Sequence, residues 1–221
     1  MKGTKTVART ISYDAYKRVI GYVKDGKRVL QRKALVSDKT EKLRRLQEVA
    51  LLAMNFFMGL KQSDISMLKW RDILINEDYG NLVEVACINN QSINRTLFLT
   101  KYELRSALRQ LWSHQKHEFD ITLDSPVISS VQKQGHLKFT SVRRKLSLLY
   151  KNAEIYNVGS QSGHNSLKQW LEKENICPRL KGVILNNRRD MRLLLNTPLS
   201  GIEIEQAKKI METYPRPIAT T

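Results

Sequence analysis

Residues 52–73 read LAMNFFMGLKQSDISMLKWRDI, and their order suits one helix stopping and a shorter one starting. Gly59 fits the left-handed position that ends a helix, because it has no Cβ to clash there. Ser63-Asp64 then opens a short helix carrying Ile65, Leu68 and Trp70. Upstream, Asp38 and Glu41 make a D-x-x-E start signal, and Leu43, Leu46, Ala50, Met54 and Phe57 recur at helical spacing on one face.

Downstream, residues 82–88 and 93–99 are rich in β-branched and apolar residues and flank Asn89-Asn90-Gln91-Ser92, which predicts a β-hairpin. Thr100 with Glu103 reads as a capping box before Leu104, Leu108, Leu111 and Trp112. A loop is expected over 114–137. Thr140 or Ser141 then caps a helix whose inward face is Val142, Leu146, Leu149, Tyr150 and Ala153. Helices follow at about 165–174, 178–186 (Pro178 in the first turn) and 188–195. Pro198 breaks the pattern, and Ser200 with Glu203 caps a last amphipathic helix through Met211, ended by Pro215 and Pro217. The expected fold class is mainly α with a small antiparallel β-sheet.

The 221-residue chain is 41% hydrophobic, enough for one globular domain with a real core. Its 38 Lys and Arg against 21 Asp and Glu leave a formal charge of +17. Such a surplus favours a polyanionic partner, since each cation that neutralises a phosphate releases a condensed counterion. The two cysteines, Cys87 and Cys177, have no metal-ligand spacing and read as reduced thiols; no metal and no cofactor is expected. The basic N-terminus has no apolar leader-like stretch, and no apolar run approaches a membrane span. A cytoplasmic, nucleoid-associated protein is expected.

Residues 1–36 form a basic segment with interspersed Tyr and Val, and Asp25-Gly26 suits a hairpin turn. The expectation is a small ribbon or an arm, with Lys17, Arg18, Lys24, Lys27, Arg28, Arg32 and Lys33 either tracking a phosphate backbone or standing in solvent as a tail. Residues 37–213 make the main domain, and 214–221 a tail.

The 52–73 stretch resembles the first conserved box of the tyrosine recombinases (the phage integrase family): an apolar helix, G-L-R-x-S-E, and a short helix ending L-x-W-x-D-I. Gly59, Leu60, Ser63, Asp64, Leu68, Trp70, Asp72 and Ile73 carry the match. The 82–99 hairpin falls where the family has its β2–β3 hairpin, with Arg95-Thr96-Leu97-Phe98-Leu99 at its end. Residues 139–155 resemble the helix laid across the DNA major groove. Residues 161–176 fall on the H-x-L-R-H segment, and 177–196 on the L-G-H box and the run to the nucleophilic Tyr. The resemblance covers about 37–213 and implies a catalytic-domain-like fold.

The family cuts DNA by attack of a Tyr hydroxyl on a phosphodiester, with two Arg clamping the phosphate, a hairpin Lys as acid and assisting His. Carried over position by position, the first Arg becomes Lys61, which keeps charge but loses the bidentate fork. The hairpin Lys becomes Asn90, the His of H-x-x-R becomes Gln161 and its Arg becomes His164. The L-G-H His becomes Asn187, and the nucleophile becomes Asn196. Loss of one oxyanion-type donor costs on the order of 100- to 1000-fold, so these replacements together imply a protein that binds DNA without cutting it.

The binding groups that remain are Arg143, Arg144 and Lys145, with Thr140 and Ser141 at that helix start, and Arg188 and Arg189 at another. Lys61, Lys69, Arg71, Arg95 and His164 add to the same face if the resemblance holds. The family's N-terminal clamp domain has no match before residue 37, which implies a grip on double-stranded DNA from one side, strongly salt-dependent. Ile202, Ile204, Ala207, Ile210 and Met211 on the last helix are placed either to dock on a second protomer or to pack on their own domain. The leading expectation is a catalytically inactive, recombinase-like transcriptional regulator of a mobile element. The alternatives are a divergent recombinase or relaxase-like nicking enzyme acting through Tyr214 or another Tyr, and an accessory protein that modulates an active recombinase or meets the transcription machinery.

Overall fold

The computed structural model describes residues 9–26, 37–77, 80–89, 94–130, 135–185 and 200–215, with only the backbone at 87, 89, 94 and 95. Its described elements are α1 (Tyr13–Lys24), α2 (Asp38–Phe57), α3 (Gln62–Met67), a 3-10 turn (Trp70–Asp72), β1 (Leu74–Asn76), β2 (Asn81–Leu82), β3 (Val85–Asn89), β4 (Asn94–Phe98), α4 (Tyr102–Phe119), α5 (Phe139–Asn152), α6 (Ser162–Lys173), α7 (Pro178–Leu185) and α8 (Gly201–Thr213). The fold is mainly helical with small antiparallel sheets, as expected.

α2 is the central element. Its C-terminal half and the following loop, residues 50–60, are buried on every side, and α1, α3, α4, α5 and α6 all pack against it. A helix apolar all round belongs inside a bundle. Ser37, one residue earlier than the D-x-x-E reading, is the N-cap, its Oγ accepting from the Thr40 N–H. Gly59 stops the helix at φ +57, as its sequence position requires.

The first 36 residues correct the sequence reading. Residues 13–24 are not a ribbon or an arm but a helix, with Ser12 Oγ accepting from the Ala15 N–H. Tyr16, Val19 and Val23 recur at helical spacing and are buried in the common core. Asp25-Gly26 is a helix stop, with Gly26 at φ +67, because a left-handed glycine serves a helix end as well as a hairpin. Lys17, Arg18 and Lys24 face outward on α1. Lys27, Arg28, Arg32 and Lys33 lie outside the described residues.

The first-box Trp and Asp act structurally. Trp70 is not in the short helix but on the 3-10 turn, fully buried, its indole donating to Gln115 Oε1 at 2.9 Å. Asp72 Oδ2 accepts from the Lys69 N–H at 2.8 Å and closes that turn.

There are two ribbons in the described chain rather than one hairpin from 82. Leu82 pairs with Leu74, while β3 pairs with β4 from Val85↔Phe98 to Asn89↔Asn94. Arg105 on α4 fastens them, donating to the carbonyls of Leu82, Val83 and Leu99 at 3.0–3.1 Å. The Thr100–Glu103 box does not form. Lys101 is the N-cap without a side-chain bond, and Glu103 instead accepts from Tyr13 Oη at 2.9 Å. α4 runs on to Phe119, so the loop expected from 114 starts later; Asp120 ends the helix in a left-handed conformation.

α8 has the expected Ser200–Glu203 capping box. Ala207 and Met211 are buried in the chain's own core, Ile202 is exposed, and Lys101 Nζ donates to the Glu212 carbonyl at 2.5 Å. Arg179 on α7 pairs with Glu203. The guanidinium and the Ser200 backbone N–H hold the Glu203 carboxyl below the usual glutamate range. A lowered folded pKa stabilises above the unfolded pKa and is lost as pH falls through the folded value. Glu203 is therefore expected to titrate below a free glutamate in an NMR titration, and to return toward it in Arg179→Ala.

Candidate nucleic-acid interface

The first-box loop and the loop before α6 meet over α2. Asn55, on α2, is the polar residue inside the buried stretch. Its Nδ2 donates to the carbonyls of Leu60 at 3.0 Å and Ser160 at 3.1 Å, and its Oδ1 accepts from Tyr150 Oη on α5 at 3.2 Å. Gln62 Nε2 adds a bond to the Ser160 carbonyl at 2.6 Å. Burial pushes the Tyr150 phenol up, which keeps it a neutral donor.

α6 fits against α2 through Gly163. A Cβ there would lie 2.7 Å from the Asn55 carbonyl carbon and closer still to its oxygen. This approach puts His164 beside Gly59, and the ring donates from Nδ1 to the Gly59 carbonyl at 2.8 Å. Lys61, two residues beyond Gly59, is exposed at the N-cap of α3. His164, on α6, is thus bonded to the loop that leads to Lys61, and Gln161, exposed, is the N-cap residue of α6. α6 begins at Ser162, three residues before the sequence reading.

α5 packs on α3. His136, just before α5, donates from Nδ1 to the Ser66 carbonyl of α3 at 2.9 Å, a link with no sequence signal. Val142, Leu146, Leu149 and Tyr150 are buried as expected, and Arg143 and Arg144 are exposed, with Lys145 half-buried. Thr140 and Ser141 do not cap the helix. Lys138 is the N-cap, and the Ser141 N–H is already spent on the Lys138 carbonyl at 2.9 Å. The sequence reading missed Phe139 and Leu148, both exposed apolar side chains on α5 at 57% and 44%. Their signal was apolar character off the inward face.

Lys69 and Arg71 both pair with Asp124, whose single carboxylate offsets part of their charge. The Arg95 side chain and Asn90, Asn187, Arg188, Arg189 and Asn196 lie outside what is described. Tyr214 is 2% exposed, between Phe56 and Trp170, and burial pushes its phenol well up. Among the described residues no cluster of three or more His, Cys, Asp or Glu stands ready for a metal, and no helix is long and apolar enough to cross a membrane.

With this geometry the chain takes the fold of the tyrosine recombinase catalytic domains. It is similar to the crystal structure of XerA recombinase, with a TM-score of 0.60 and 16% identity over 96% of this chain and 67% of that one. It is similar also to XerH site-specific recombinase bound to difH substrate in a pre-cleavage complex (TM-score 0.58, 15% identity, 94% of this chain and 55% of that one). The post-cleavage complex of XerH with a palindromic difH substrate gives 0.57 and 15%, over 93% and 53%. The chain thus spans about two thirds of XerA and just over half of XerH, and at such identity the likeness is one of fold. By sequence, no family model and no curated protein matches the chain.

Proposed function

We propose that this chain binds double-stranded DNA on a recombinase scaffold whose cutting chemistry is gone, and that it regulates transcription of a mobile element. The observation that supports the reading is the bond from His164 to the Gly59 carbonyl, two residues before the exposed Lys61: the two positions matched to the family's arginines flank one carbonyl, and neither holds an arginine. Tyr214, the candidate nucleophile nearest the expected site in sequence, is packed in the core with a raised pKa, which supports binding over strand cleavage through it. The exposed Arg143 and Arg144 supply phosphate contacts, and Phe139 and Leu148 beside them supply apolar contact of the kind a thymine methyl accepts. In this reading the protein sits on the nucleoid.

A gel-shift titration against genomic fragments tests the proposal. Retardation at low salt is expected, with log K falling linearly against log salt. Arg143→Ala with Arg144→Ala is expected to weaken binding about tenfold or more and flatten the salt slope by about 2 units. No retarded species at about 50 mM salt overturns binding. A covalent adduct on a suicide DNA substrate overturns the loss of cleavage.

A further inference from the structure

A concave site separate from the candidate DNA surface lies between α1, α2 and α4. Its volume is about 480 Å³, within the range of small-molecule sites. Ile20, Leu46, Val49 and Ala107 give it an apolar wall. The rim is cationic, with Lys24 and Lys42 exposed at its edge. Neither lysine is in an ion pair with a described residue, whereas Glu103, the acid in the lining, already accepts from Tyr13 Oη. Arg45, also at the rim, is held by Glu41 at 3.4 Å.

An apolar wall beside ammonium groups that make no ion pair with a described residue suits a ligand with an apolar body and a single anionic head. The body gains from leaving water, and the head gains charge-assisted bonds that a neutral analogue lacks. We propose that this groove is a binding site for a small amphipathic carboxylate, such as a medium- or long-chain acyl anion. The ligand bridges α1 to α2 and α4 and ties the first helix to the central one. Lys17 and Lys24 of the lining are among the N-terminal cations expected to track a phosphate backbone, but the site shares no residue with Lys61, His164 or the exposed face of α5, and its occupancy is tested without DNA.

The test is calorimetric titration of the full chain with dodecanoate, beside dodecanol, with amide shifts followed by NMR. Saturable one-to-one binding is expected, at least tenfold tighter for dodecanoate than for dodecanol, with shifts centred on Ile20, Leu46 and Val49. Lys24→Glu with Lys42→Glu, both at exposed positions that leave the core intact, is expected to weaken binding at least tenfold. The same reversal at Lys168 and Lys173 on α6 is expected to leave it unchanged. Absence of saturable binding, the outcome if another part of the chain or a second copy fills the groove, overturns the proposal. So does equal affinity for the alcohol, or an equal loss in the α6 variant, which reduces the effect to apolar partition or general basic charge.

Discussion

Gly163→Ala is expected to destabilise the protein by about 3 kcal/mol or more, at or beyond the upper end of ordinary overpacking. The new methyl carbon would fall 2.7 Å from the carbonyl carbon of Asn55 and 2.7 Å from its Oδ1. The first of these is backbone in the buried last turn of α2, so no side-chain rotation relieves it. Either α6 lifts from α2 or α2 bends. Helix propensity pulls the other way, since Ala is better than Gly by about 1 kcal/mol in a helix interior, but the clash outweighs it. For a chain of this size the loss corresponds to about 6–12 °C in Tm, read by thermal unfolding. Gly182, also helical, meets nothing within 4 Å of its added Cβ, so Gly182→Ala is the matched control and is expected not to destabilise. An unchanged Tm in Gly163→Ala would mean that the α2–α6 approach is looser than described. If α6 lifts, His164 leaves the Gly59 carbonyl and the loop before α3 loses that support.

Asn55→Leu is expected to cost about 3 kcal/mol, although leucine is apolar and similar in size. The side chain is fully buried and joins the Leu60 carbonyl, the Ser160 carbonyl and the Tyr150 hydroxyl. Removing it leaves buried groups without partners, and the desolvation penalty of an orphaned group exceeds the net worth of the bond it made. The Ser160 carbonyl keeps Gln62, so the Leu60 carbonyl and the Tyr150 hydroxyl carry most of the cost. A double-mutant cycle separates this from simple repacking. Tyr150→Phe alone should destabilise by about 1 kcal/mol, but in the Asn55→Leu background it should cost little or even help, because it removes an orphan. Additive losses measured by urea unfolding would contradict the network.

The order of helices was legible wherever apolar residues recur on one face and a glycine or a capping pair marks the end. α2, its stop at Gly59 and the capped start of α8 are read directly from such local signals. α1 was misread because Tyr and Val suit strands as well as helices, and only packing against Phe56 and Phe57 decides between them. The Thr100–Glu103 pattern failed as a cap because Glu103 has a better partner in Tyr13, 90 residues away. The turn from α2 through Gly59 into α3 was legible through its resemblance to a known box. The Asn55 network that holds it was not, since a single Asn in an apolar run has no local signature until its distant partners are placed. Nor does any local pattern show that Asp124 sits against Lys69 and Arg71.

Phe56 receives Tyr16 on one side, at a centroid distance of 4.6 Å, and Tyr214 on another, at 5.5 Å. The two flanks of the chain are thereby energetically linked, although nearly two hundred positions separate them. Fraying of either one wets the ring that the other needs dry. A ligand, a partner or a substitution that steadies α1 also raises the protection of the segment around Tyr214, through the Phe56 ring that both pack against.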